Sequence, residues 1–282
     1  MSPTTDTAVT DEWIEMRGLR FHFRDWASRR TGAPSLVLLH GYTSHARSWD
    51  AYAEAMTDRY RVLALDQRGH GETGWAAADQ YGIDEMTGDL EVLVRALGVE
   101  TFTLLGLSMG GMVAMEYAGR RPAALAACVI VDIGPEIERS GSSRIQANVA
   151  ATDVFASREE AFATARVANA LPPEPLHRHR SDTSLMRTED GRWTYRYDRI
   201  LRSPRNFRWR DAETAWTSCA KINVPTQIIR GEFSDILSPR IAELMARTIP
   251  QARLRVVGNA GHGVPLDAPD GFLAATREFL EG

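Results

Sequence analysis

Lysine is nearly absent. Among 282 residues Lys221 is the only one, so almost all basic charge is carried by arginine, a compositional bias with no mechanism attached. Cysteine is scarce too. Only Cys128 and Cys219 occur, and Cys128 lies inside the apolar run "AACVIV", where a thiol behaves as a small hydrophobe. A disulfide framework is therefore excluded, and a reducing, cytoplasmic setting is expected. No apolar run approaches the roughly 20 residues that a spanning helix needs, and the first dozen residues lack the basic and apolar regions of a signal peptide. There is no P-loop and no His or Cys cluster at ligand spacing, and the G-x-G-x-x-G over 69–74 opens no helix-length stretch, so neither a nucleotide cofactor nor a metal is implied. With a net charge of −4, the chain has no global attraction to nucleic acid or to an anionic membrane.

What is present is alternation. The runs "SLVLLHG", "YRVLALD", "FTLLGLS", "ACVIVDIG", "TQIIRGE" and "LRVVGNAG" are strand-length and apolar on both faces. Helix-length amphipathic stretches separate them: 48–57, 84–97, 110–120, 239–248 and 269–280. Buried strands alternating with helices predict a mostly parallel central sheet of about eight strands with helices on both faces. The early "EWIEMRGLRFHFRDW" alternates in period two, as an antiparallel hairpin at the sheet edge would.

The pattern breaks over 137–216, which holds 14 arginines against 11 acidic residues, while the remainder has 19 basic against 26 acidic. Helical patterns without a strand-length run predict a helical cap inserted after the sixth strand. The expected organisation is a disordered lead-in over 1–11, an α/β core over 12–136 and 217–282, and the cap between the two core segments.

The run "FTLLGLSMGGMV" contains G-x-S-x-G between a strand and a helix. In that context Ser108 occupies a strained strand-to-helix turn, with Gly106 and Gly110 leaving room for the chain to fold back. Its hydroxyl then meets the helix N-terminus, where N–H groups favour a developing oxyanion. A serine needs a base. His262, between glycines in "NAGHGVP", is placed for it; His22 alternates in a strand, His177 and His179 lie in the insertion, and His45 and His70 are loop residues open to a pocket. The base needs an orienting carboxylate. Asp235 after the penultimate strand is the expected partner, with Asp132 at the end of "CVIV" as rival and Glu232 as the weaker one. Gly41, following His40, lets the loop approach a bound acyl group. The backbone N–H groups of Tyr42 and Met109 are the candidate oxyanion donors.

The motifs "HGYTSHARSW", "LDQRGHGET", "GLSMGG", "GEFSD" and "AGHGVPLDAP" together resemble the α/β-hydrolase fold superfamily over nearly the whole ordered chain. The core is similar to bacterial carboxylesterases and 3-oxoadipate enol-lactonases. The resemblance implies a serine hydrolase cleaving a carboxylic ester or lactone through an acyl-enzyme. It gives Asp66, Arg68 and Gly69 an architectural role; Thr73 stands where relatives usually have serine. Carbon–carbon or amide hydrolysis, cofactor-free oxygen chemistry and a binding receptor with vestigial turnover are the alternatives on this fold. Trp49, Tyr195 and Trp209, with Tyr197 and Phe207, are candidate pocket residues. The arginine surplus, notably Arg139 and Arg144, motivates a small-molecule substrate bearing a carboxylate. Oligomeric state is not readable from the sequence.

Overall fold

The N-terminal alternation folds as an antiparallel hairpin, β1 (Val9–Met16) and β2 (Leu19–Trp26), turning through Arg17 and Gly18. The computed structural model describes residues 9–281, except the side chains of Arg139, Ser142, Asn148 and Pro204. The expected lead-in over 1–11 needs correction. Residues 1–8 lie outside the described residues, but 9–11 are already strand, and the Asp11 carboxylate accepts hydrogen bonds from His22, Arg24 and Arg47.

The chain continues through β3 (Ser35–Leu39), α1 (Asp50–Met56), β4 (Arg61–Leu65), α2 (Ile83–Ala96), β5 (Phe102–Leu107), α3 (Met109–Gly119) and β6 (Leu125–Val131). The insertion then supplies α4 (Arg139–Ala150), β7 (Val154–Phe155), α5 (Arg158–Ala168), α6 (Glu174–Thr183), β8 (Leu185–Arg187) and β9 (Trp193–Tyr195). The core resumes with α7 (Ala212–Lys221), β10 (Thr226–Gly231), α8 (Pro239–Thr248), β11 (Ala252–Val257), α9 (Val264–Asp267) and α10 (Pro269–Glu281).

Eight strands form one sheet in the order β1-β2-β4-β3-β5-β6-β10-β11, with β4 onward parallel. Alternation along the strands sorts the core into two layers. Val37 and Leu39 of β3 face α2, α3, α7 and α8, whereas Leu36 and Leu38 face α1 and α10. Apolar area is thus removed from water on both sheet faces, the dominant favourable term in folding.

The insertion is less helical than expected. Between α4 and α7 lies a three-stranded antiparallel sheet, ordered β7-β9-β8, around Phe155, Ala161 and Leu185. Strands of two or three residues are too short to print a period in the sequence. The guanidinium groups of Arg158 and Arg187 lie 4.3 and 4.6 Å from the ring centroid of Trp193 in β9. The expected boundary at 216 also falls inside α7, a helix that packs on α3, where the Ser218 hydroxyl donates to Glu116 at 2.9 Å.

The insertion is stitched to loops at the carboxyl ends of the parallel strands. Gly71 N–H donates to Arg196 O at 2.9 Å and Asp198 N–H to Gly69 O at 2.7 Å. The Asn169 amide donates to Asp267 at 2.7 Å. These bonds join the insertion to the loop after β4 and to α9, which follows His262. Among the described residues no helix is long and apolar enough to cross a membrane.

Candidate active site

Ser108 is the N-cap of α3, with φ 54° and ψ −116°, a conformation that costs a non-glycine residue of order 1–3 kcal/mol. The surrounding backbone enforces it. A Cβ on Gly106 would lie 2.1 Å from Gly110 O, and one on Gly110 would lie 2.4 Å from Leu39 O, so neither glycine can carry a side chain. This close packing drives the serine up at the end of β5.

Three side chains meet there. His262, after β11, has Nε2 2.9 Å from Ser108 Oγ and Nδ1 2.8 Å from Asp132 Oδ2. Asp132 is fully buried and accepts two further bonds, from Gly231 N–H at 2.9 Å and from the Ser234 hydroxyl at 2.5 Å. A carboxylate can only accept, so His262 carries its proton on Nδ1 and leaves Nε2 free to take one from the serine.

The partner of His262 is therefore Asp132, which corrects the expectation of Asp235. The reason lies in sheet register and in one loop. Leu107 pairs with Val131 across β5 and β6, so Ser108 and Asp132 leave the sheet side by side. After β10, Arg230 donates to the carbonyls of Leu237, Glu232 and Ser234 at 2.7, 3.1 and 3.1 Å, folding the loop so that Ser234 turns inward. Asp235 turns outward onto Arg144, with two hydrogen bonds of 2.7 Å that hold its carboxyl below the usual range. Glu232 instead accepts from Asn259 N–H at 2.9 Å.

The remaining predicted residues divide. Gly41 lies against the nucleophile; a Cβ there would sit 3.4 Å from Ser108 Cβ. The backbone N–H groups of Tyr42 and Met109 have no hydrogen-bond partner among the described residues, as oxyanion donors require. His40 steadies this loop. Its Nδ1–H donates to Gly41 O at 2.8 Å, its Nε2 accepts from Gln67 N–H at 3.0 Å, and its carbonyl accepts from Gly110 N–H at 3.2 Å. The Tyr42 ring packs against Trp209 and Phe207 at 5.4 and 5.8 Å, and its hydroxyl donates to Leu201 O. Tyr195 stacks on Tyr197 at 6.0 Å. Trp49 is a correction: it is 1% exposed and packs with Tyr52 and Phe272 between α1 and α10, so it is core rather than pocket. Arg144 is committed to Asp235. The side chain of Arg139 lies outside the described residues. Sequence reasoning missed Ser234, whose only signal was its position in "GEFSD".

Around the loops after β3 and β4 lies a buried polar cluster. The Asp66 carboxyl is buried, which would raise its pKa, but the bond from His22, seconded by neighbouring imidazoles, holds it at about 2. His22 faces Asp66 and Asp11, and despite burial their bonds push its pKa up. Burial pushes the others down, His40 to about 4 and His45 and His70 to about 3. A depressed histidine makes the unfolded chain bind more protons below its ordinary pKa of 6.5, so stability falls as pH drops from 6.5 toward 4. Each such imidazole costs about 1.4 kcal/mol per pH unit, or about 6 kcal/mol for three at pH 5, comparable to a whole domain's stability. His22 offsets part of this. Calorimetry should record a steep fall in Tm between pH 6.5 and 5; a flat Tm would contradict the buried neutral imidazoles. Cys128 and Cys219 are both free and buried, and burial pushes each thiol up to about 12, leaving them inert.

Among the described residues no group of three His, Cys, Asp or Glu side chains is placed to hold a metal ion. A serine at a strained strand-to-helix turn, facing a carboxylate-oriented histidine on a doubly covered parallel sheet, defines the class. A sequence profile of the family described as alpha/beta hydrolase fold matches residues 34–269, and the chain belongs to that family. It is similar to mouse (Mus musculus) sn-1-specific diacylglycerol lipase ABHD11, 30% identical over 262 residues, covering 88% of this chain and 81% of the relative. It is equally similar to 3-hydroxybutyrate-oligomer hydrolase of Cupriavidus necator, 30% identical over 260 residues and 88% of each chain. The solved structure of E-2-(acetamidomethylene)succinate hydrolase matches with a TM-score of 0.88 at 22% identity, over 98% of this chain and 100% of that one, a likeness of fold.

Proposed function

We propose that this chain is a serine hydrolase that cleaves a carboxylic ester or lactone through an acyl-enzyme on Ser108. The observation that carries the reading is the unbroken hydrogen-bond chain from Ser108 Oγ through His262 to Asp132. Ser108 Oγ attacks the carbonyl carbon while its proton passes to His262 Nε2. The N–H groups of Tyr42 and Met109 receive the oxyanion, each such donor being worth about 10²–10³ in turnover. The imidazolium then protonates the departing alcohol as the carbon–oxygen bond breaks. Water, deprotonated by His262 Nε2, attacks the acyl carbon, and the imidazolium then returns the proton to Ser108 Oγ as the bond between the acyl carbon and Oγ breaks and the acid leaves. Asp132 keeps the imidazole in the required tautomer and stabilises its cation. The insertion acts as the cap over this centre, and Tyr195, Tyr197, Phe207 and Trp209 shape the acyl or alcohol pocket.

A panel of p-nitrophenyl esters, lactones and anilides tests the reading. Esters or lactones should turn over, with a burst of p-nitrophenol equal to the enzyme concentration where deacylation limits. Hydrolysis in ¹⁸O-water should leave one labelled oxygen in the acid. Turnover of anilides alone, or no turnover of any member, would contradict it.

A further inference from the structure

The described arginine side chains are almost all occupied. Besides Arg180, the described arginines whose guanidinium has no hydrogen bond, ion pair or ring contact are Arg30, Arg205 and Arg253, and each of those is exposed to water. Arg180 is different. It is partly buried in the last turns of α6, between His177 and Ser184, and among the described residues its guanidinium has no carboxylate within ion-pairing distance and no acceptor.

Its backbone shows where this helix sits. Arg180 O accepts from the Ser184 hydroxyl at 2.6 Å, and that oxygen in turn accepts from His45 Nε2–H at 2.8 Å, which ties the helix end to the loop that carries Tyr42. The charge of Arg180 acts on His40 and His45 in that loop, on Tyr195 of the insertion, and on Asp267 beneath the His262 loop. His40 and His45 are neutral. Asp267 is already engaged by Gly261 N–H at 2.9 Å and by the Asn169 amide at 2.7 Å. Burial lowers the pKa of the Arg180 guanidinium, as removal of a cation from water must.

A partly buried guanidinium with no partner among the described residues is free to pair with an anionic ligand that supplies the counter-charge. Arg144, the sequence candidate for that role, is spent on Asp235. We propose that Arg180 is the anion-binding residue of the substrate pocket, and that the substrate is an ester or lactone bearing a second, free carboxylate held by this guanidinium. The proposal rests on the hydrolase reading above and adds the substrate class to it. The planar fork donates two parallel hydrogen bonds to a carboxylate, which fixes the acyl chain as well as attracting it.

The test compares p-nitrophenyl hydrogen succinate with its methyl ester, equal in leaving group and nearly equal in size. The wild-type chain should favour the anionic ester in kcat/KM by on the order of 10²-fold. Arg180→Gln should bring that ratio to within about threefold of one, chiefly through a higher KM for the anionic ester, and Arg180→Lys should keep part of it. A wild-type ratio near one, or a ratio that survives in Arg180→Gln, overturns the proposal. Should Arg180→Gln fail to fold, inhibition of wild-type hydrolysis of the methyl ester decides: succinate competes and succinamide does not, and equal indifference to both overturns it. The two readings fail separately. Brisk hydrolysis of the methyl ester without anionic preference overturns only the role of Arg180, whereas no hydrolysis of either ester and no fluorophosphonate adduct on Ser108 overturns the hydrolase reading itself.

Discussion

Asp132→Asn lowers kcat by about 10⁴-fold, whereas Asp235→Asn changes it by less than about tenfold. The contrast follows from what each carboxylate holds. Asp132 accepts from Gly231 N–H, Ser234 and His262 Nδ1, all within 2.9 Å, in full burial. An asparagine there can turn its amide N–H₂ toward His262, forcing the proton onto Nε2, where it blocks proton transfer from the serine. Asp235 lies one strand further along and pairs with Arg144 at the surface, with side-chain exposures of 33% and 43%. Exposed pairs of this kind contribute about 0–1 kcal/mol, so the loss is felt in neither folding nor chemistry. Steady-state kinetics of the two variants, with circular dichroism as the folding control, make the comparison. A larger loss in Asp235→Asn would return the orienting role to that residue.

Ser108→Ala removes turnover altogether within practical limits, a drop of at least about 10⁴-fold. The fold survives it. Alanine keeps the Cβ and hence the same positive-φ conformation, and only one partly buried hydrogen bond, to His262, is lost. Such a bond contributes about 1 kcal/mol net, so Tm falls by only a few degrees. Residual activity near wild-type would mean that another group, or an activated water, attacks the substrate.

Ser108 and His262 were legible because their signals are local. A serine between glycines at a strand–helix junction has few other uses, and a histidine flanked by glycines after the last strand is poorly suited to a core. The choice between Asp132 and Asp235 was not local. Both follow strands and both satisfy the chain order of serine, acid and histidine. What separates them is the grip of Arg230 on three loop carbonyls, a contact that no sequence spacing reveals.

The same limit explains the other differences. Long strands and helices announced themselves by period, and α8 begins and ends where its pattern predicts. The strands of the insertion are too short for any period, so a segment read as helical holds a small sheet. Trp49 reads in the sequence as a pocket candidate, but it ends a short 3-10 turn over Ala46–Trp49 and its ring is buried in the core. The arginine surplus of the insertion was visible as composition. Which of those guanidinium groups lacks a partner depends on the packing of the whole insertion: among the described residues these are the partly buried Arg180 and the exposed Arg205, and not Arg144.

Peptide mapping by mass spectrometry after brief exposure to a fluorophosphonate tests the central claim most directly. A single adduct on the peptide containing Ser108, stoichiometric in the wild-type chain and absent in Ser108→Ala, is the predicted result. An unmodified Ser108, or a phosphonyl group on any other residue, would contradict it.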